Sequence, residues 1–112
     1  MSETFDIIII GAGIVGSLVA RYLSKYKLNI LLIEKEDDIG MGTSAANTAA
    51  IHAGYDAIPG SNKAATNVKA VDMWPQLSQE LGIQYDRCGD YVVAVNEDEL
   101  NILEELFARG KQ

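Results

Sequence analysis

The chain is poor in the residues on which several common chemistries depend. Cys88 and His52 are its only cysteine and histidine. An internal disulfide is therefore excluded, and a metal site is not expected because no further soft ligands exist. A lone cysteine also suits a reducing compartment. Basic residues are scarce: Lys and Arg number 9 against 16 Asp and Glu, a net charge of −7. That balance argues against nucleic acid as a partner and favours solubility. Most of the acid falls in residues 34–38 and 97–105, which read as solvated loop and helix faces. Long apolar runs are also missing. The stretch Ile7–Ile10 is too short for a membrane span or a signal peptide, and acid rather than base precedes it. The cytoplasm is thus the expected location. Prolines number only 2, and 48% hydrophobic with 22% charged residues is a globular composition. A domain of this size buries only ~60–65% of its unfolded surface, so modest stability is expected.

What is present is organised. Ile7–Ile10 is a β-branched run ended by Gly11, as for a strand buried on both faces in a parallel sheet. After the glycines, Val15, Leu18, Val19, Tyr22, Leu23 and Tyr26 recur at helical spacing on one face. A second apolar strand, Ile30–Ile33, ends in Glu34. Strand, glycine turn, helix and strand make a βαβ unit. Residues 35–60 are rich in small polar residues and lack a periodic apolar run. From Ser61 a helical pattern returns, with Ala70, Met73, Trp74, Leu77 and Leu81 on one face and Gly82 as C-cap. Pro75 is expected to kink or divide that helix. Residues 91–95 read as a further strand. Asn96 and Glu99 form an N-cap pair for a last helix carrying Leu100, Leu103 and Phe107, which Gly110 would end.

Gly11-Ala12-Gly13-Ile14-Val15-Gly16 has the spacing of a dinucleotide fingerprint. The first glycine permits the tight turn, the second lets a pyrophosphate approach the backbone, and the third lets helix and strand pack closely. Phosphate then meets the free N–H groups and positive dipole end of the helix. A lone GxGxxG is weak evidence. Here it follows a strand, opens a helix and is answered about twenty residues on by Glu34, where a ribose hydroxyl needs an acceptor. A carboxylate there also disfavours a 2′-phosphate, and hence NADP. The bland alternative is a structural glycine turn with an exposed Glu.

An NAD domain would continue promptly into another helix and a third parallel strand. This chain instead offers Gly40, Gly42, Thr43, Ser44 and Asn47 directly after the acid and Lys35. Small hydrogen-bonding residues there suit a long extended cofactor such as FAD, and a flexible surface loop is the competing reading. Trp74, Met73 and Leu77 are expected to be core, Cys88 a structural thiol, and Lys63 and Lys69 a solvated helix edge. Tyr55 and Asp56 read as ordinary loop residues.

Residues 6–16, Leu32 to Lys35, Gly42-Thr43-Ser44 and residues 47–54 together resemble the D-amino-acid oxidase-like FAD superfamily. Residues 47–56 with Pro59-Gly60 and Lys63-Ala64 are most similar to one branch. It holds the anaerobic-type glycerol-3-phosphate dehydrogenases and the L-2-hydroxyglutarate oxidases. Thr48-Ala49 departs from the Ser-Gly more usual there, exchanging only small residues.

The resemblance implies an α/β fold: a Rossmann-like FAD-binding βαβ unit with the start of a mixed α+β substrate domain. Residues 1–82 would be the N-terminal part of the FAD domain and residues 83–112 the beginning of the substrate domain, the remainder of the enzyme lying beyond this chain. The expected chemistry is hydride removal from a secondary alcohol to flavin, with glycerol 3-phosphate the first substrate and a 2-hydroxy acid such as L-2-hydroxyglutarate the second. Gly11, Gly13, Ile14, Val15 and Gly16 would hold the pyrophosphate, Glu34 with Lys35 the adenosine ribose side, and Gly42, Thr43 and Ser44 would lie along the diphosphate, while the stretch from Asn47 to Gly54 would pass beneath the flavin. His52 would lie at the flavin edge or the substrate; from the residues alone, a packed core histidine is an equal reading. The electron acceptor stays open, and membrane association through it is the alternative to a purely cytoplasmic location. A nicotinamide-dependent dehydrogenase and a non-catalytic nucleotide-binding module are the other classes still standing. The isolated segment is expected to self-associate, because its strands are apolar on both faces and lack neighbours.

Overall fold

A computed structural model describes residues 4–112. In chain order the elements are β1 (Ile7–Ile10), α1 (Ile14–Leu23), β2 (Ile30–Ile33), α2 (Asn62–Leu81) and α3 (Glu97–Arg109). They fall into two compact units, one ending at Ala50 and the other spanning Ile51–Gln112.

The first unit is the expected βαβ. β1 and β2 pair in parallel with Ile7 opposite Ile30 and Ile10 opposite Ile33. The register is fastened at both ends. Asp6 N donates to Asn29 O at 2.9 Å while Asn29 N donates to Asp6 Oδ2 at 2.8 Å. At the far end Gly11 N donates to Ile33 O at 2.7 Å. Burial alternates along β1, with Ile7 and Ile9 half-buried and Ile8 and Ile10 outward, because α1 covers one side of the sheet. Only Leu18 and Leu23 of the predicted apolar face are half-buried; Val15, Val19 and Tyr22 are exposed and Tyr26 lies beyond α1, which ends at Ser24, whose hydroxyl donates to Arg21 O at 2.8 Å. The cover is thin. Among the described residues of this unit Ala12 is the only buried apolar one, while Ile10 and Val15 are 85% and 73% exposed.

In the second unit the helix limits obey their local signals. Ser61 Oγ accepts from Ala64 N at the start of α2, and Gly82 ends it in the left-handed conformation at φ 65°. Asn96 and Glu99 form the reciprocal capping pair on α3: Asn96 Oδ1 accepts from Glu99 N at 2.9 Å, and Glu99 Oε2 accepts from Val95 N at 2.9 Å. Glu97, Asp98 and Glu99 in the first turn complement the helix dipole, and Arg109 does so in the last. Gly110 closes α3 with an ordinary right-handed conformation, φ −66°.

Four expectations are refined by the structure. α2 runs unbroken through Pro75, so the proline does not divide it; the flanking turns supply enough i→i−4 bonds to carry the helix past one missing donor. Its inward stripe is led by Val71, Trp74 and Leu77, with Met73 and Leu81 about two-fifths exposed, and Trp74 meets Tyr85 at 6.0 Å between ring centroids. Residues 91–95 form no strand. Tyr91 is 96% exposed and Val95 80%. A strand is a ladder between two segments, and no partner for this one lies among the described residues. Cys88, read as a structural thiol, is exposed.

Candidate functional site

The turn between β1 and α1 is built on backbone that only glycine tolerates. Gly11 takes φ +97°. A Cβ on Gly16 would sit 1.9 Å from the Gly11 carbonyl oxygen and 3.4 Å from Ile9 Cγ2, so the absence of a side chain is what lets α1 start against the end of β1. Gly13 is the N-cap of α1 and brings no side-chain cap. Ser44, from the following loop, supplies one instead: its Oγ accepts from Ile14 N at 2.9 Å. A Cβ on Gly13 would approach that same oxygen to 3.2 Å. The first turn of α1 contains no acid, so nothing there opposes an anion.

Of the sequence-predicted residues, Gly11, Gly13, Ile14, Val15, Gly16, Thr43, Ser44 and Asn47 line one open groove of about 610 Å³. Gly42 lies just outside it, its carbonyl accepting from Ala45 N at 3.0 Å. Lys35 turns away, placing Nζ 2.9 Å from Glu36 Oε1 with its side chain 85% exposed.

Glu34 sits beside the groove rather than in its lining. The parallel register brings the end of β2 next to the glycine turn, and Glu34 Oε2 accepts from Ala12 N at 2.6 Å. Oε1 accepts from Lys35 N at 2.8 Å and Glu36 N at 3.2 Å. These amides, that of Ala12 foremost, hold the Glu34 carboxyl below the usual carboxylate range. The acid was predicted as a ribose acceptor; its contact with the turn itself was not, because spacing along a chain does not reveal which backbone amide a carboxylate meets.

His52 belongs to the second unit, in a stretch without regular structure, and it is exposed. The residues just after it, read as an ordinary loop, are anchored from three directions. Tyr55 Oη donates to Asp90 Oδ2 at 2.9 Å, Lys63 Nζ pairs with Asp56 Oδ2 at 2.9 Å, and Arg109 Nη1 donates to Asp56 O at 2.9 Å. The bond from Lys63, then its charge, holds the Asp56 carboxyl below its ordinary range, and the Asp90 carboxylate raises Tyr55. A Cβ on Gly54 would meet Val68 Cγ2 at 3.0 Å. Sequence reasoning missed this knot because its members come from α2, α3 and the segment between them.

The donor set fits the ADP half of a dinucleotide. The N-terminal turn of α1, its Ile14 amide donating to Ser44 Oγ, lines a groove with no acid in its lining, and a carboxylate stands at the end of the neighbouring strand. Among the described residues no helix is long and apolar enough to cross a membrane.

Residues 6–112 match the family described as FAD dependent oxidoreductase, DAO. The chain is 49% identical over 108 residues to a glycerol 3-phosphate dehydrogenase of Caloramator mitchellensis, covering 96% of this chain and 22% of that protein. It is 40% identical over 113 residues to the mitochondrial L-2-hydroxyglutarate dehydrogenase of Nematostella vectensis, covering 99% and 25%. With the human protein of the same name the identity is 36% over 113 residues, covering 99% and 24%. The chain thus spans about a quarter of the length of the curated relatives it matches. With a glycine turn, a strand-end acid and a capped groove shared in one unit, and a family match running to the last residue, this chain belongs to the DAO family of FAD-dependent oxidoreductases.

Proposed function

We propose that this chain forms the ADP-holding side of the FAD site in an oxidoreductase that oxidises a secondary alcohol, with glycerol 3-phosphate as substrate. The observation that carries the cofactor assignment is the groove in which Ser44 Oγ meets the Ile14 amide at the glycine turn. Gly11, Gly13, Ile14, Val15 and Gly16, with Gly42, Thr43 and Ser44, would hold the diphosphate, and Glu34 with Lys35 the adenosine ribose side. Bound FAD supplies the hydride acceptor; this segment supplies binding and orientation. His52 is assigned to the flavin edge, with its exposure leaving it available to a ligand. Residues from Ile83 onward would begin the substrate domain. The substrate assignment is supported by the 49% identity to a protein named glycerol 3-phosphate dehydrogenase. The 40% relative named for L-2-hydroxyglutarate makes that acid the second reading.

The test uses the full-length protein. Purified, it should carry the two-banded visible spectrum of a flavin, and anaerobic glycerol 3-phosphate should bleach it. Bleaching by L-2-hydroxyglutarate alone moves the assignment to the second substrate. A colourless protein that binds NAD in its place overturns the cofactor reading.

We also propose that the isolated 112-residue segment self-associates. Ile8, Ile10, Ile14 and Val15 put an apolar strand and helix surface into water, and exposed apolar strand edges recruit other chains. Sedimentation of the segment at low micromolar concentration should give a species larger than a monomer; a stable monomer holding FAD overturns this.

A further inference from the structure

Asn47 lines the groove, yet its amide is directed into its own loop. Nδ2 donates to Thr43 O at 3.1 Å and to Ser44 O at 2.9 Å, while Oδ1 accepts from Ala49 N at 2.7 Å. Two carbonyl acceptors on one side and one N–H on the other fix which way the amide points. A primary amide has two N–H donors, and both are engaged. What remains is an acceptor lone pair, which has no attraction for an anionic diphosphate.

The three bonds shape the segment that carries Ser44. Ala49 has φ 54° and is the only non-glycine residue with positive φ among the described residues, and the bond from its amide to Asn47 Oδ1 ties it down. On the other side Asn47 grips the carbonyls of Thr43 and Ser44, whose turn is continued by Ala46 N donating to Thr43 O at 3.2 Å. The hydroxyl of the residue so gripped is the one that accepts from Ile14 N at 2.9 Å. Asn47 thus stands one link behind the contact between loop and helix.

Resting on the assignment of this groove to the diphosphate of FAD, we infer that Asn47 is a positioning residue. It sets Thr43 and Ser44 against the first turn of α1, so that the loop and the helix N-terminus form one surface, and it acts on the diphosphate only through them. This is a different role from the direct cofactor contact expected of it in the sequence.

The experiment is a double-mutant cycle on the full-length apoprotein, with ADP and adenosine as calorimetric or competition probes. Asn47→Ala and Ser44→Ala should each weaken ADP binding about tenfold. The double variant should be no more than about twofold worse than the poorer single one, because both remove the same contact. Adenosine affinity should stay as in wild type, which also reports that the variants are folded. If Asn47→Ala does not accumulate as folded protein, Asn47→Ser, which keeps a short polar group, takes its place in the cycle with the same expectation. Multiplicative losses, about a hundredfold in the double variant, mean that Asn47 touches the cofactor itself and overturn the inference. So does an unchanged ADP affinity in Asn47→Ala, or an equal loss for adenosine. A wild-type protein that binds adenosine but gains nothing from the diphosphate of ADP overturns the groove assignment first, and is told apart because it appears before any substitution is made.

Discussion

Replacing Gly16 by alanine puts two opposing effects on one residue. In the body of a helix, Gly→Ala ordinarily stabilises by about 1 kcal/mol through backbone entropy. Here the new Cβ would lie 1.9 Å from the Gly11 carbonyl oxygen. An ordinary C···O contact is about 3.3 Å, so α1 and the turn must separate by about 1.4 Å. The atom met is backbone at the end of β1, not the far end of a flexible side chain, and it cannot swing away. Overpacking of this kind costs about 1–3 kcal/mol or more, and a rigid partner places it at the upper end, so the clash outweighs the helix gain. The displacement also reaches the site. Half of it, taken along the Ile14–Ser44 bond, stretches 2.9 Å to about 3.6 Å, outside hydrogen-bonding range. In the full-length protein Gly16→Ala should therefore lower the urea midpoint and weaken FAD binding at least tenfold, read by flavin release on dilution. Gly42→Ala is the matched control for stability: its Cβ meets nothing within 4 Å, and the urea midpoint should stay near wild type. Wild-type flavin retention in Gly16→Ala would refute the close-packing account of the turn.

Glu34→Ala in the full-length protein should weaken FAD roughly ten- to a hundredfold by removing a charged hydrogen-bond acceptor, and Glu34→Arg should be worse without creating NADP affinity; unchanged flavin titrations would remove the ribose assignment. The same carboxyl, held below its ordinary 4.5 by the Ala12, Glu36 and Lys35 amides, contributes stability that is full above that value and is lost as pH falls through its lowered folded value. Urea midpoints from about pH 6 down to 3 should therefore drop less steeply in Glu34→Gln than in wild type, and parallel curves would contradict the hydrogen bonding described. His52→Ala should slow flavin reduction or shift its pH dependence while leaving ADP affinity unchanged; stopped-flow traces matching wild type across pH would separate His52 from the flavin.

β1, α1 and β2 are legible in the sequence because their signals are local: a β-branched run, a glycine turn, an apolar helical stripe, a second run ending in an acid. The caps Ser61, Gly82 and Asn96 with Glu99 are legible for the same reason, each resting on residues within one turn. Residues 91–95 carry equally strong strand chemistry and form none, since pairing is a relation with a second segment and not a property of the first. The site divides along the same line. That Gly11, Gly13, Gly16, Glu34 and Ser44 belong together could be suspected from residue type and order. That Glu34 meets the Ala12 amide across 22 residues and Ser44 the Ile14 amide across 30 was decided by the parallel register and the path of the loop. The same holds for Arg109, which reaches the Asp56 carbonyl across 53 residues. Short-range preference acts through backbone sterics and the nearest turn, so it can be read along the chain; which distant donor meets which acceptor exists only once the elements have packed.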